Sequence, residues 1–149
     1  MNRREMNQPG RLLQRYSTLE YLLLGDLRDL LEEPADEHTG KWLLAVLDAL
    51  LETLPRQFNL KEEGGYMQVV LDEFPSWESQ VDRLQCEHET LSAKLLQLRN
   101  QVVGQTSFGE AASRLRSELR DWMDSLKSHN RRENRLLQTA MTLEVGAGD

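Results

Sequence analysis

Cysteine is almost absent from this chain, and its scarcity narrows the classes of protein that the sequence allows. Cys86 is the single cysteine among 149 residues, so the chain forms no internal disulfide and offers no second thiol for a cysteine-based metal site. This cysteine usage favours a reducing, intracellular compartment, and we expect a cytoplasmic protein. Cys86 lies about 200° around a helix from His88, which favours packing or surface exposure over metal ligation.

Long hydrophobic runs are missing as well. The longest apolar segments, residues 21–24 and 42–46, are far shorter than the roughly 20 residues that span a bilayer. The first residues, MNRREMNQPGR, are positively charged but are not followed by the apolar stretch of a signal peptide. We therefore expect a soluble protein without a membrane partner.

Basic charge is scarce relative to acidic charge. The chain has 25 acidic and 18 basic residues and a formal net charge of -7, which disfavours nucleic acid as a partner because phosphate backbones are bound by basic stripes. Aromatic residues make up only 6% and apolar residues 39%, which suits an aliphatic core. The length predicts one domain over residues 1–149, with flexible ends at 1–10 and 143–149.

Apolar residues recur at spacings of three and four in four long segments, which predicts four amphipathic helices. Their expected limits are about 11–33, 41 to beyond 58, 76–103 and 108–142, with a short helical piece at 66–73. The connections are short, so neighbouring helices should be antiparallel. The expected fold is an all-α, up-down four-helix bundle with a kinked or broken segment between the second and third helices.

Local signals refine the helix ends. Pro34 should end the first helix, and Asp36 or Thr39 should cap the second, which Pro55 should kink without ending. Ser107 with Glu110 has the form of a capping box before the fourth helix. The glycine-rich residues 145–149 should not extend that helix.

Polar residues interrupt the apolar seams of the third and fourth helices. His88 lies in the third seam, and His129 and Glu133 lie in the fourth, at spacings that keep them on the inner faces. Unpaired polar groups are costly there, so something inside the bundle must satisfy them. Histidine and carboxylate on facing helices are ligands for iron, manganese or zinc, and a private hydrogen-bond or ion-pair network is the alternative.

Two strings resemble a known family. EHETL at residues 87–91 and HNRRENRLLQ at residues 129–138 resemble the third-helix and fourth-helix motifs of the hemerythrin-like (HHE cation-binding) family. LPRQF at residues 54–58 and KEEGGY at residues 61–66 are similar to its second-helix H-x-x-x-E region. The resemblance runs from about residue 12 to the end. It implies a hemerythrin-like bundle with a di-iron site built from histidines on all four helices and acids on the second and fourth.

The resemblance also implies that this di-iron site is eroded. His88, His129 and Glu133 match the family pattern, but Gln57 stands in place of the second-helix histidine and Lys61 in place of its acid. The first helix contains no histidine. The remaining histidine, His38, is expected as an exposed residue of the first connection, about 30 Å along the helix from Gln57.

Lys61 leaves two interpretations open. The second-helix spacing continues inward through Gln57 and Lys61, so a buried Lys61 can pair with Glu133 in place of a metal. Alternatively the helix frays near Gly64, and Lys61 extends to water.

A remnant mononuclear site is also open. His88, His129 and Glu133 would suit zinc, manganese or ferrous iron, and could be joined by one more acid, chosen from Glu62, Glu20 and Asp26. Against this, Glu62 lies about 100° from the Lys61 stripe. A lysine ammonium would also repel a divalent cation.

The sequence gives catalysis little support, because no Ser-His-Asp grouping, paired inward carboxylates or activated thiol emerges. We expect a non-enzymatic hemerythrin-like bundle that serves as a binding, sensing or structural module. The alternative is a mononuclear metal protein, so the expected cofactor is none or one divalent ion of iron, zinc or manganese. A third class is a scaffold that binds an unknown protein partner or itself through its acidic surface and residues 64–75.

Overall fold

The computed structural model describes residues 3–63, 65–104 and 108–148, and their regular structure is entirely helical. The helices are α1 (Arg3–Glu32), α2 (Glu37–Glu62), the short α3 (Tyr66–Glu73), α4 (Glu78–Gly104) and α5 (Phe108–Gly148), with a 3₁₀ turn at Pro75–Trp77. The predicted all-α four-helix bundle, broken between its second and third long helices, is confirmed. No helix of the described segments is long and apolar enough to cross a bilayer.

The described helix ends follow local chemistry. α1 ends at Glu32, shortly before Pro34. Asp36 is the cap of α2, because its carboxylate accepts the backbone N–H of Thr39 at 2.8 Å. α2 continues through Pro55, as predicted. Ser107 lies outside the described residues, and so does the proposed capping box.

Three expectations about the helix limits are wrong. α5 continues to Gly148, because glycine disfavours a helix by only about 1 kcal/mol per residue and does not forbid helical dihedrals. α1 begins at Arg3 rather than near residue 11. His38 is exposed as predicted, but it lies in the first turn of α2 rather than in the connection, and its Nε2 accepts the indole N–H of Trp42 at 3.2 Å.

Two apolar clusters fill the bundle, one on each side of a layer of buried polar residues. The larger cluster joins the four long helices and includes Leu27, Leu47, Leu95 and Leu119. The smaller one lies where α3 packs against α4 and α5, and its buried members are Met67, Val70, Val81, Leu84 and Ala140. The residues between them are Gln57, Lys61, His88, His129 and Glu133, and we call them the polar layer. On α4, for example, His88 lies between Leu84 of the smaller cluster and Leu91 of the larger one.

Gly65 sets the tight junction between α2 and α3. A Cβ at this position would clash with the backbone carbonyl oxygens of Leu60 and Lys61, so the chain can fold back here only without a side chain. The fold-back places Tyr66 and Met67 beside the polar layer and closes that end of the bundle.

Candidate functional site

Glu133 is the centre of the polar layer. One carboxylate oxygen, Oε2, lies 3.0 Å from His129 Nε2 and 3.3 Å from His88 Nε2. The other oxygen, Oε1, lies 2.5 Å from the ammonium of Lys61. Side chains from α2, α4 and α5 therefore converge on a single buried carboxylate.

Each histidine also contacts a second carboxylate through its other ring nitrogen. His88 Nδ1 lies 2.8 Å from Glu62 Oε1, and His129 Nδ1 lies 3.1 Å from Glu87 Oε1. A neutral imidazole has one N–H and can donate to only one of its two carboxylate neighbours. With a neutral ring, one of the two contacts sets a nitrogen lone pair against a carboxylate oxygen, and a proton or a cation between these two atoms would make both contacts favourable.

The net charge of the groups around Glu133 also leaves room for additional positive charge. Three carboxylates, on Glu62, Glu87 and Glu133, face two permanent cations, Lys61 and Arg132. Arg132 binds both oxygens of Glu87, with its Nε at 3.1 Å from Oε1. These five groups carry a net charge of one negative unit, which one additional proton would balance, whereas a divalent ion would leave one positive unit.

The pKa of Glu133 reflects these contacts. Burial by itself raises the pKa of a carboxyl group, but hydrogen bonds from His129 and His88 and the charge of Lys61 outweigh it and lower the pKa of Glu133 below its ordinary value. The carboxylate is therefore held in its charged form, as an ion pair or a metal site requires.

Phe58 fixes the orientation of the histidine rings. Its ring stacks on His88, with centroids 3.9 Å apart and planes 5° apart, and meets the His129 ring edge to face at 6.0 Å. The Lys61 ammonium lies 5.9 Å from the Phe58 centroid, within the range of a cation–π contact. The Phe58 ring therefore packs beside all three polar side chains.

Three buried polar atoms have no hydrogen-bond partner among the described residues: Gln57 Oε1, Glu20 Oε1 and the Tyr66 hydroxyl. Gln57 Nε2 donates to Ser17 Oγ at 3.3 Å, which places α1 beside this end of α2. Burial raises the pKa of Glu20, and Lys61 partly offsets the effect. Burial, followed by the charge of Glu133, also raises the pKa of Tyr66.

The predicted site residues have different outcomes. His88, His129 and Glu133 each offer one ligand atom within 4.8 Å of the others, so their predicted proximity is found. Gln57 and Lys61 are buried, so of the two interpretations left open for Lys61 the structure has the inward one, and Lys61 does not extend to water. The other acids weighed as ligands do not join this group: Glu62 contacts the outer nitrogen of His88, Glu20 bonds to Asn130, and Asp26 is exposed.

Sequence reasoning missed the contacts of Glu87, Phe58 and Tyr66. Glu87 immediately precedes His88, and its pairing with Arg132 could have been proposed from the antiparallel arrangement of α4 and α5. Nothing in the spacing indicates that Phe58 stacks on His88, because that contact depends on the rotation of α2 against α4.

An up-down helical bundle whose long helices direct histidines and a glutamate into a common core has the architecture of bundle proteins with internal cation sites. The sequence profile of the hemerythrin HHE cation-binding domain matches residues 21–141, and the chain belongs to this family. Comparisons with curated proteins and with solved structures give no match.

Proposed function

We propose that this protein is a non-enzymatic member of the HHE family whose di-iron site is eroded and in which a lysine takes the place of the metal. The observation that carries the proposal is the 2.5 Å contact between Lys61 Nζ and Glu133 Oε1, with 9% and 7% of the two side chains exposed. The bundle then acts as a binding, sensing or structural module, and we place it in the cytoplasm because its single thiol suits a reducing compartment.

Electrostatics supports this proposal. Two unit charges 4 Å apart interact by about 4 kcal/mol at an effective dielectric constant of 20, so a divalent ion at that distance from Lys61 is opposed by roughly 8 kcal/mol. An ion bound to Glu133 and the Lys61 ammonium would therefore compete for one carboxylate. Either the ion or the Lys61 ammonium must therefore lose its contact with Glu133.

The remaining ligand set gives further support. The family's iron site needs a histidine where this chain has Gln57, whose free atom is a carboxamide oxygen rather than an imidazole nitrogen. α1 has no histidine to offer. The residues present do not fit two iron ions.

A mononuclear metal site is the second candidate, and one observation favours it. His88 and His129 each present Nδ1 to a carboxylate and Nε2 to Glu133, and metal-binding histidines use the same arrangement to fix their orientation. One iron, zinc or manganese ion would be held by these two histidines and Glu133, where it would supply a Lewis acid. Lys61 would have to turn away from Glu133.

Metal content tests the proposal directly. Untagged protein, purified without chelator and then loaded with ferrous iron, zinc or manganese, should contain far less than one ion per chain by elemental mass spectrometry. Its thermal unfolding midpoint should not change with the added ion, because only a ligand that binds the folded state raises stability.

The matched control is His88→Ala with His129→Ala. Stoichiometric metal in the wild-type protein that is lost in this variant, together with a metal-dependent rise in the unfolding midpoint, would contradict the lysine proposal and support the mononuclear site.

A further inference from the structure

A cavity lies outside the polar layer, in the groove between α4 and α5 beside the 3₁₀ turn. It has a volume of about 330 Å³. Its walls combine three arginines with three apolar side chains, and we call it the arginine groove: Arg83, Arg132, Arg135, Trp77, Leu84 and Leu136.

The charge of the groove is opposite to that of the protein. The chain carries a net charge of -7, yet no carboxylate lines this cavity. Within the described part of the chain, Arg83 and Arg135 have no ion-pair partner. Arg132 is paired with Glu87, but the charges of Arg83 and Arg135 in a cleft with apolar walls repel one another and concentrate a positive potential, which an anion relieves.

Arg132 adds unused donors to the same groove. Two of its nitrogens, Nε and Nη2, donate to Glu87, which fixes the plane of the guanidinium. A guanidinium has five N–H donors, so three remain. A fixed guanidinium edge is the group that binds planar oxyanions in two-point contacts.

Contacts within the protein also hold the apolar wall of the arginine groove in place. Trp77 stacks on Phe74 with ring centroids 4.7 Å apart, and both rings are only partly buried. Leu84 is buried and Leu136 half-buried beside them. A ligand with an apolar ring or a short chain would cover this surface.

We propose that the arginine groove binds a small organic carboxylate, with its charged head on Arg83 and Arg135 and its apolar body against Trp77 and Leu136. The volume of 330 Å³ is at the lower end of the range of ligand pockets, about 300 to 1,000 Å³, and therefore selects a small molecule. This site goes beyond the proposed function and does not depend on it, because no residue of the groove belongs to the polar layer, although Arg132 also binds Glu87 at the edge of that layer.

The three tryptophans make the test internally controlled. In a titration of ¹⁵N-labelled protein with naphthoate, the indole N–H signal of Trp77 should move in a saturable way. The signals of Trp42, at the far end of the bundle, and of Trp122, whose buried N–H donates to Leu91, should stay in place. The neutral analogue naphthalenemethanol and acetate, which offers the head group alone, should bind much more weakly.

The variant Arg83→Gln with Arg135→Gln should weaken naphthoate binding by about tenfold or more, because hydrogen bonds to charged groups are the strong ones. Both arginines are exposed, so the fold should be kept, which circular dichroism checks. Arg131→Gln is the matched control, since this exposed arginine of α5 contacts Ser128 and is not part of the groove. It should bind like the wild type.

Three results would overturn the proposal: an unmoved Trp77 signal at millimolar naphthoate, equal binding of the neutral alcohol, or unchanged affinity in the double variant. An acidic peptide that moves the Trp77 signal where naphthoate does not would also overturn it, and would assign the groove to a protein partner. None of these results depends on the metal content of the polar layer.

Discussion

Among single residues, Lys61 and Glu133 have the largest expected effect on stability, because each neutralises the other inside the bundle. A buried pair is not by itself strong evidence of stabilisation, since desolvation offsets much of the attraction. Removing one partner is different, because it leaves the other charge buried without compensation.

Lys61→Met should therefore lower the free energy of unfolding by about 3 to 5 kcal/mol. Urea denaturation measures the change. Lys41→Met provides the control, because Lys41 is exposed on the same helix and its loss should change the free energy by no more than about 0.5 kcal/mol. Similar midpoints for the two variants would mean that Glu133 does not depend on Lys61.

Substitutions that restore the missing ligands should make the protein bind iron. Gln57 contacts Ser17, so Ser17 marks the position on α1 where a histidine would reach the polar layer. The triple variant Ser17→His, Gln57→His and Lys61→Glu should retain iron after loading, as measured by elemental mass spectrometry. Ser17→His with Gln57→His, with Lys61 still present, should retain much less. Equal iron in both variants would count against the repulsion argument.

At the scale of elements, the junction of α2 and α3 decides how the polar layer is closed. The fold-back at Gly65 packs the smaller apolar cluster against the polar layer. Lys61 and Glu133 are therefore buried from water on the side of the layer that faces α3. The acidic residues that follow in the chain remain exposed and do not enter the site.

Gly65→Ala should destabilise the protein by about 1 to 3 kcal/mol, because its Cβ would meet two backbone carbonyls that cannot move independently of α2. Gly25→Ala is the matched control within α1, where a Cβ meets no atom within 4 Å, and it should stabilise the helix by up to about 1 kcal/mol. Thermal unfolding of both variants checks the opposite signs. A neutral Gly65→Ala would show that the junction tolerates a side chain.

For the whole molecule, the balance of buried carboxylates sets the response to acid. The pKa of Glu133 is lowered by its histidine and lysine contacts, which outweigh burial, and that of Glu87 by Arg132 and His129 against the same opposing effect. A carboxyl group whose pKa is lower in the folded state contributes stability above its unfolded pKa. That contribution disappears as the pH falls toward the folded pKa.

The free energy of unfolding should therefore decrease as the pH falls below about 4.5, the ordinary pKa of a glutamate. Glu20 acts in the opposite direction, because its raised pKa contributes stability at low pH that is lost as the pH rises through the folded pKa. Urea denaturation at several pH values measures the slope. The variant Lys61→Met with Glu133→Gln should have a smaller slope, and Glu63→Gln, which removes an exposed carboxyl, should keep that of the wild type.

Assembly also belongs to this scale and remains a prediction. The interface predicted for a protein partner or a second copy is the acidic surface together with residues 64–75. Sedimentation velocity over a range of concentrations would detect self-association. A single species with the mass of the monomer at every concentration would exclude it.

The sequence by itself determined the helices and their inward faces. Spacings of three and four depend only on the geometry of an α-helix, so the inward position of Gln57 and His88 could be predicted before any neighbour was known, whereas the direction of the Lys61 side chain stayed open. The helix limits at the two ends of the chain could not be predicted in this way, because the weak propensities of glycine do not decide where a helix stops.

Only the tertiary structure decided which polar groups meet. The contact of Lys61 with Glu133, and of His129 with Glu87, depends on the rotation and axial position of each helix against its neighbours, and these are set by packing over the whole core. The same packing collected Arg83 and Arg135 beside Trp77, although the three residues are separated along the chain. The helical period of a sequence specifies which residues share one face of a helix. A site also requires that the faces of several helices meet at the same position along the bundle axis.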